Sequence, residues 1–342
     1  MSERLVVFTE REEGPVPGLD EELIRQNGGT IRYGKAVDES DRVRLAERAE
    51  VMVVGMAPLT RGFLAAVPLL KGVVRLGIGV DSVDLEAATD LGIVVANVPD
   101  FCSEEVAEHA LGLIFAVTRK LALADRRARA GQWVAGMDAL LRPMWRLSGQ
   151  TLGLIGLGKI GRTLARRAQG LGLKVIAYDP HVRAEAAQAA GVTLMSLEAL
   201  LPQTNILSLH VPVTAETKGI VNARTLALLK PGAILINAAR GPVVDEPALA
   251  AALASGRLAG AGLDVLQQEP LRLPHPLAEF ENVVFTCHYA SLSEESYAIM
   301  RQQVSEQAVQ ILRGEFPVHL VNPRVKDLPQ CRLRKSDYGR DR

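Results

Sequence analysis

The chain has 342 residues, and its 39 basic side chains are balanced by 39 acidic ones, so the formal net charge is zero. This balance argues against a dedicated nucleic-acid-binding protein, which normally carries a basic surplus. Hydrophobic residues make up 48% of the chain and charged residues 23%, a composition that excludes a disordered protein. The length indicates about two domains.

The spacing of the cysteines and the length of the apolar runs indicate which kinds of site and which compartment to expect. Cys102, Cys287 and Cys331 are widely spaced and include no CxxC pair, which argues against a disulfide framework and against a zinc site. No metal site is therefore expected. The N-terminus is interpreted as a short strand rather than a signal peptide, and no apolar run approaches the ~18 residues of a membrane helix. We expect a cytoplasmic protein that does not contact a membrane.

In the first third of the chain, apolar strands alternate with charged segments and helices. The predicted strands are 4–8, 51–54 and 92–98, and the predicted helices are 40–49 and 81–91. The breaker pair Pro99-Asp100 ends this series. A long helix follows, for which Ser103 is the expected N-cap, and Glu104 and Glu105 suit its positive end.

Residues 128–150 are predicted to be irregular, after which the strand–helix alternation resumes. The predicted strands are 151–155, 174–178, 206–209, 233–236, 260–265 and 283–286, and the predicted helices are 160–171, 197–201, 223–229, 246–255 and 293–313. Continuous apolar strands between helices indicate an α/β fold with parallel sheets covered on both faces. The tail after Pro323 is polar and is expected to be loose.

A glycine motif, Gly156-Leu-Gly158-Lys-Ile-Gly161, directly follows a predicted strand and opens a helix. In dinucleotide-binding folds the first glycine permits a tight turn, the second lets the backbone approach a pyrophosphate, and the third lets helix and strand pack closely. Asp179 closes the next strand, where a carboxylate would bind the adenosine ribose and repel the extra phosphate of NADP. The motif predicts NAD as the cofactor, and the alternative is a glycine turn without a ligand.

Further segments accompany the glycine motif in a fixed order. They are Arg-Leu-Gly-Ile-Gly-Val-Asp at 75–81, the segment 97–109, His210-Val-Pro-Val-Thr214, Asn237-Ala-Ala-Arg240-Gly241, Leu263-Asp264-Val265 with Glu269-Pro270, and His288-Tyr-Ala-Ser291. With them the chain resembles the D-2-hydroxyacid dehydrogenase family over nearly its whole length to about Pro323.

The resemblance implies two Rossmann-like or flavodoxin-like domains with parallel sheets, the nucleotide domain being inserted into a discontinuous substrate domain. On this interpretation residues 1–99 and 294–323 form the substrate-binding domain, 100–293 form the NAD-binding domain, and 324–342 are a tail. The hydride-transfer site is expected in a cleft between the domains. Closure of the domains over this cleft would exclude water from the site.

Three residues match the catalytic residues of that family. Arg240 corresponds to the arginine that binds the substrate carboxylate and carbonyl oxygen, a task suited to a planar fork of donors. His288 corresponds to the acid/base, and Glu269 to the carboxylate that pairs with it and favours its protonated form. The alternatives are a structural histidine, a surface ion pair for Arg240 and an ordinary loop acid at position 269.

The resemblance also implies the residues that contact the ligands. Ile78 and Gly79 correspond to the backbone positions at which the family binds the substrate carboxylate, and Arg240 is the third residue implied to contact the substrate. For Ile78 and Gly79 the alternative is a plain strand–helix turn. The residues implied to contact the cofactor are Gly156, Gly158, Lys159, Ile160, Gly161, Asp179, His210, Val211, Pro212, Ala238, Asp264, His288 and Ser291. For those outside the glycine motif, the alternative is ordinary structure at strand ends.

The resemblance leaves the individual function open. The favoured hypothesis is an NAD-dependent oxidoreductase (EC 1.1.1.-) that transfers hydride between NAD(H) and a small D-2-hydroxy or 2-oxo acid such as glyoxylate or hydroxypyruvate. The alternatives are an NAD(H)-sensing corepressor-like interaction protein and a 3-phosphoglycerate dehydrogenase, which Arg75 keeps open. Cys287 stands where most relatives have proline. The alternatives for this difference are a benign change in packing, a slight shift of the His288 backbone and an exposed thiol beside the site. A homodimer is implied, with the 103–120 helix at the contact.

Overall fold

The computed structural model describes residues 4–11, 19–133, 136, 138 and 141–333. The chain divides into two compact units, one made of Met1–Phe101 with Ser293–Arg342 and the other of Cys102–Leu292. Each unit contains a parallel or largely parallel sheet with helices between its strands. These features confirm the α/β fold class expected from the alternation of apolar strands and helices.

The first unit contains a six-stranded sheet with the order β2-β3-β1-β4-β5-β6. Its strands are β1 Arg4–Phe8, β2 Glu10–Arg11, β3 Gly29–Lys35, β4 Ala49–Val54, β5 Gly72–Arg75 and β6 Val94–Ala96. All neighbouring strands are parallel except β2, which pairs antiparallel with β3. Without β2 the order is the 2-1-3-4-5 of flavodoxin-like folds, in which ligands bind beyond the carboxyl ends of the strands.

Five helices accompany this sheet. They are α1 Glu21–Gln26, α2 Glu39–Ala46, α3 Arg61–Ala66, α4 Leu85–Asp90 and, from the far end of the chain, α12 Glu294–Leu312. Most begin where a short polar side chain accepts a backbone N–H of the first turn, as Asp84 does from Ala87 and Ser293 from Ser296. The cap at Asp84 starts α4 later than the predicted 81–91.

The tail was expected to be loose after Pro323, and this is wrong for residues 324–333. Pro323–Asp327 forms a 3₁₀ helix, and Val325, Cys331 and Leu333 are buried. The guanidinium of Arg332 donates hydrogen bonds to the carbonyl oxygens of Val67 and Leu70, at 3.1 and 2.7 Å. Apolar side chains spaced through a polar segment are sufficient to hold it on the first unit. Residues 334–342 lie outside the described part of the chain.

The second unit contains a fully parallel seven-stranded sheet with the order β13-β12-β11-β10-β7-β8-β9. Its strands are β7 Thr151–Ile155, β8 Lys174–Tyr178, β9 Thr193–Leu194, β10 Ile206–Leu209, β11 Ala233–Asn237, β12 Leu258–Leu263 and β13 Val283–Phe285. Its helices are α5 Ser103–Thr118, α6 Leu121–Arg129, α7 Lys159–Gly170, α8 Ala184–Ala189, α9 Leu197–Leu200, α10 Ala223–Leu228 and α11 Glu246–Ala254.

Buried side chains cover both faces of this second sheet. Along β11, Leu235 belongs to one apolar cluster, whereas Ile234 and Ile236 belong to another. Alternate residues of a strand point to opposite faces, so the two clusters lie on opposite sides of the sheet. This arrangement is the reason the strands consist of continuous apolar runs.

Two predictions for the helices of the second unit are wrong. Ser103 is the first residue of α5 rather than its N-cap, which is Cys102, and no side chain caps this helix. Glu104 and Glu105 do occupy the first turn, where the helix dipole favours acids. The irregular stretch starts later than residue 128, because α6 continues to Arg129 with three arginines in its last turn.

The direction in which strands are added reverses next to β7. From β7 the chain proceeds to β8 and β9 on one side and then returns to β10 on the other. Such a reversal leaves a crevice at the carboxyl ends of the two central strands, which in open α/β sheets is where ligands bind. The glycine motif follows β7 and His210 follows β10, so both lie at this point.

Candidate active site

The glycine motif forms the turn between β7 and α7. Gly156 has φ +95°, and a Cβ there would lie 2.3 Å from the carbonyl oxygen of His210. A Cβ on Gly161 would lie 2.4 Å from the carbonyl oxygen of Gly156. A Cβ on Gly158 would meet no atom within 4 Å, and no side chain caps α7 at this position. Packing therefore requires the first and third glycines, while the second borders open space before the helix N-terminus.

Asp179 lies beside this turn, directly after β8. Its carboxylate accepts hydrogen bonds from the backbone N–H of Leu157 at 2.8 Å and of His181 at 2.9 Å. Open space at an uncapped helix N-terminus, with a carboxylate at the end of the next strand, fits a dinucleotide: the α7 N–H groups suit the pyrophosphate and Asp179 suits a ribose diol. Lys159 and Ile160 are the first two residues of α7 and belong to the same turn.

His210 closes β10 on the other side of the reversal. Its ring Nε2 lies 2.9 Å from the hydroxyl of Ser208, and its Nδ1 is buried without a hydrogen-bond partner among the described residues. Burial lowers the pKa of His210 to about 4, so the ring is neutral near pH 7. Val211 and Pro212 follow it, and the side chain of Val211 would lie 2.9 Å from a Cβ on Gly156. Of the three residues predicted to line the adenine, His210 and Val211 thus border the glycine turn, and Pro212 is the next residue of the chain.

The structure brings His288 and Glu269 into direct contact. Nδ1 of His288 lies 2.6 Å from Oε2 of Glu269, and the other carboxylate oxygen accepts the backbone N–H of Leu266 at 3.0 Å. Both side chains are about one-third exposed, at 32% and 30%. A carboxylate held at both oxygens fixes the imidazole ring and its protonated Nδ1.

The electrostatics of Glu269 agree with an ionised partner for the histidine. Burial alone would raise the pKa of Glu269, but the hydrogen bonds from His288 and from the Leu266 N–H, together with the positive charge of Arg240, outweigh it and lower that pKa. An ionised Glu269 only accepts hydrogen bonds, so Nδ1 of His288 is the donor. Nε2 is then the ring atom that can exchange a proton with a ligand.

Arg240 follows β11 and lies close enough to influence Glu269. Its backbone carbonyl accepts a hydrogen bond from the Asn237 side chain at 2.9 Å, and its Nη1 donates to the Ala239 carbonyl at 2.7 Å. Ala238 lies in this same short turn. The three catalytic residues predicted from the sequence therefore follow β11, β12 and β13, on the side of the second sheet where the strands have their carboxyl ends.

Asp264 follows β12 and is only 3% exposed. Its carboxylate accepts hydrogen bonds from the Thr286 hydroxyl at 2.5 Å and from the backbone N–H groups of Tyr289 and Ala290 at 3.2 and 3.1 Å. Its backbone carbonyl accepts the N–H of His288 at 2.9 Å. Asp264 thus organises the loop that carries His288, and Ser291 is the next residue of that loop.

Two members of this network were not expected from the sequence. Thr286 bridges Asp264 and His109, whose Nε2 lies 2.9 Å from the threonine hydroxyl. His109 is within the segment 97–109 that carries the family resemblance, but it precedes Thr286 by 177 positions. No sequence spacing relates them, since the contact depends on α5 packing against β12 and β13.

Ile78 and Gly79 belong to the first unit, in the loop after β5. The Asn97 side chain donates to the Ile78 carbonyl at 2.6 Å, and the N–H of Val98 donates to the Gly77 carbonyl at 3.0 Å. Gly77 has φ +137°, a conformation that favours glycine. The loop therefore lies at the carboxyl end of the first sheet, the end at which open α/β sheets bind their ligands.

Among the residues that the structure describes, no group of three or more His, Cys, Asp or Glu side chains could hold a metal ion. Over the same residues, every helix is too short or too polar to span a bilayer.

Comparison with known proteins agrees with the site geometry. Residues 111–290 match the family model of the NAD binding domain of D-isomer specific 2-hydroxyacid dehydrogenase. The chain is 40% identical over 268 residues to the glyoxylate reductase of Korarchaeum cryptofilum, covering 78% of this chain and 81% of that protein. It is 36% identical over 321 residues to the D-3-phosphoglycerate dehydrogenase of Methanocaldococcus jannaschii, covering 93% of this chain but only 60% of that protein.

A solved structure shows the same fold over most of this chain. The D-lactate dehydrogenase of Aquifex aeolicus, determined with NAD and lactic acid, superposes with a TM-score of 0.81 and 30% sequence identity, covering 93% of this chain and 99% of that one. The glycine turn, the His288–Glu269 pair and the neighbouring Arg240 lie in the part of the chain that the family model matches. This chain therefore belongs to the D-isomer-specific 2-hydroxyacid dehydrogenase family, whose members are NAD-dependent oxidoreductases.

Proposed function

We propose that the protein reduces a small 2-oxo acid with NADH, or oxidises the corresponding D-2-hydroxy acid with NAD, and that glyoxylate and hydroxypyruvate are its leading substrates. The observation that carries this proposal is the 2.6 Å contact between Nδ1 of His288 and Oε2 of Glu269, beside Arg240 and in the unit that contains the glycine turn. Together these residues offer a proton donor, an anion-binding cation and a dinucleotide site.

In this proposal His288 holds and moves the proton. Its Nδ1 stays bonded to Glu269, and its Nε2 gives a proton to the substrate oxygen during reduction and takes it back during oxidation. The ionised Glu269 stabilises the imidazolium that donates and fixes the ring in one orientation. The pair is a third exposed, so a substrate can reach it.

Arg240 binds and orients the substrate in the same proposal. Its guanidinium offers parallel N–H donors to the carboxylate and the carbonyl oxygen of a 2-oxo acid, which polarises the carbonyl toward reduction. The N–H groups of Ile78 and Gly79 are the remaining candidates for carboxylate contacts, in the loop held by Asn97.

The cofactor is NAD in this proposal, and the residues fit it. Asp179 would accept the ribose hydroxyls, and the N-terminus of α7 would face the pyrophosphate in the space before Gly158. His210, Val211 and Pro212 would border the adenine side, and Ala238, Asp264, His288 and Ser291 the nicotinamide side. When bound, the nicotinamide ring supplies or accepts the hydride.

The substrate class is supported by the relatives. The glyoxylate reductase relative is covered over most of its length, whereas the phosphoglycerate dehydrogenase relative is covered over 60%. A 3-phosphoglycerate dehydrogenase stays the second candidate, because Arg75 is 8% exposed at the end of β5 and places a cation near Met56. The corepressor-like alternative is not favoured, since these relatives are named as enzymes.

The assembly and the location complete the proposal. We propose a homodimer joined through the second unit, with α5 at the contact, in a cytoplasmic setting. The three cysteines are unpaired thiols, which suits a reducing compartment.

A substrate panel tests the function. Oxidation of NADH and of NADPH would be followed by absorbance with glyoxylate, hydroxypyruvate, pyruvate and phosphohydroxypyruvate. We expect turnover with glyoxylate or hydroxypyruvate, and a preference for NADH that Asp179→Ala reduces. The proposal is contradicted if none of the four acids is reduced while NADH still binds.

A further inference from the structure

A chain of three side chains lies behind the loop that carries His288. His109 on α5, Thr286 after β13 and Asp264 after β12 are joined by contacts of 2.9 Å, from His109 Nε2 to Thr286 Oγ1, and 2.5 Å, from Thr286 Oγ1 to Asp264 Oδ1. His109 is 16% exposed and the side chain of Asp264 is 1% exposed. All three belong to the second unit.

The chemistry of the three groups fixes the direction of the hydrogen bonds. The carboxylate of Asp264 only accepts, so the single hydroxyl proton of Thr286 is donated to it. The oxygen of Thr286 must then accept from His109, which places the proton of that ring on Nε2. Burial lowers the pKa of His109, although the charge of Asp264 opposes the shift, and a neutral ring with a proton on Nε2 agrees with that direction.

Asp264, at one end of this series of three hydrogen-bonded side chains, holds the backbone around His288. The carboxylate of Asp264 accepts the N–H groups of Tyr289 and Ala290, and its backbone carbonyl accepts the N–H of His288. His288 has φ +54°, a conformation that a residue with a Cβ keeps only when its surroundings impose it. The ring of His109 also packs edge-on against Tyr289, with ring centroids 5.1 Å apart and an interplanar angle of 76°.

We propose that His109 and Thr286 are positioning residues for the proposed proton donor His288, acting through Asp264 and the 288–290 loop. The inference rests on the proposed function for its catalytic consequence, but not for its structural one. Without the Thr286 hydroxyl, Asp264 loses a donor and His109 Nε2 loses its nearest acceptor, which leaves only the longer 3.5 Å approach of Nε2 to Asp264 Oδ1 in a largely buried place. The carboxylate and the loop amides bonded to it then lose the alignment that holds His288 toward Glu269.

Thr286→Val and Thr286→Ser are a matched pair for the test. Valine keeps the shape but removes the hydroxyl, whereas serine keeps the hydroxyl. We expect Thr286→Val to lower kcat for the best 2-oxo acid roughly 10-fold to 100-fold, since small misplacements of catalytic groups have effects of this size. Serine is expected to recover most of that loss. His109→Phe is expected to follow the valine variant, because it keeps a ring against Tyr289 but has no N–H for Thr286.

Amide hydrogen exchange of the unliganded protein supplies a readout independent of activity. Thr286→Val and His109→Phe should accelerate exchange in the peptide 286–292, and Thr286→Ser should leave it close to the wild type. As a control, Thr118→Val removes a threonine hydroxyl from α5, where it donates only to the Ile114 carbonyl, and should not change exchange in that peptide.

The outcomes separate this inference from the proposed function. Unchanged exchange in Thr286→Val, or equal losses of kcat in the valine and serine variants, would overturn the positioning role. If the wild type reduces no 2-oxo acid, the proposed function fails, and faster exchange in Thr286→Val would still support the structural part of the inference.

Discussion

At the scale of single residues, the site depends on a few charges whose ionisation is set by their neighbours. Glu269 stays ionised because hydrogen bonds and Arg240 outweigh its burial, and His210 stays neutral because burial lowers the pKa of its ring. One carboxylate is therefore ionised beside the proposed proton donor His288, while a neutral imidazole borders the glycine turn. The pairing of His288 with Glu269 was expected from the sequence motifs, and the structure shows its distance.

Replacing Glu269 with glutamine tests that pairing. The amide cannot stabilise an imidazolium, so we expect kcat for 2-oxo acid reduction to fall by roughly 10-fold to 100-fold. Steady-state NADH oxidation by the variant and by the wild type measures this effect. An unchanged kcat would show that Glu269 does not assist the proton donor.

His210 makes a prediction about acid stability. Its pKa is about 4 in the folded protein against an ordinary value of 6.5, so between these pH values the unfolded chain binds a proton that the folded chain does not. The unfolding free energy should therefore fall as pH decreases from 6.5 to 4, by about 3 kcal/mol from this residue. Denaturant unfolding of the wild type and of His210→Gln would show a smaller fall in the variant, and equal falls would contradict the assignment.

At the scale of elements, the apolar strands were predictable and the mixed ones were not. β7, β10 and β11 are continuous apolar runs because both faces of their sheet are covered. β3 was not predicted, although the alternation in its sequence, Gly-Thr-Ile-Arg-Tyr-Gly-Lys, is typical of a half-exposed strand, because it lacks the continuous apolar run from which the other strands were assigned. The contact of His109 with Thr286 was not predicted either, because it forms only when α5 packs on the sheet and no sequence pattern records that packing.

The glycine turn gives a prediction at this scale. Gly161→Ala forces a Cβ to within 2.4 Å of a carbonyl oxygen, so we expect a loss of stability of about 1–3 kcal/mol. Gly158→Ala meets no atom and should keep the melting temperature. Its methyl group would occupy the space proposed for the pyrophosphate, and we expect NADH binding weaker by about tenfold or more.

Thermal unfolding and NADH fluorescence titration measure the two effects separately. If Gly158→Ala binds NADH as tightly as the wild type, the phosphates do not approach the backbone at this residue. If Gly161→Ala is as stable as the wild type, the close packing of α7 on β7 is not needed.

At the scale of the whole molecule, the chain contains two α/β units, and the second contains the proposed nucleotide site and the three proposed catalytic residues. The sequence motifs predicted this placement because the site residues follow consecutive strands of one parallel sheet. They did not predict that residues 324–333 pack on the first unit, since three buried side chains are too few to form a periodic pattern.

The homodimer is testable on the intact protein. The proposed contact through α5 gives a particle of twice the chain mass of 36.8 kDa. Multi-angle light scattering at micromolar concentration should return that value with and without NADH. A monomer mass under both conditions would refute the dimer without affecting the proposed chemistry.

The central claim is that His288 transfers the proton in a reaction with a 2-oxo acid, and His288→Asn tests it most directly. Steady-state NADH oxidation with the best 2-oxo acid should show kcat lowered by roughly 10²-fold to 10⁴-fold, the usual contribution of a general acid. NADH titration should show a dissociation constant close to that of the wild type. A variant that keeps nearly full kcat, with NADH bound as before, would contradict the account.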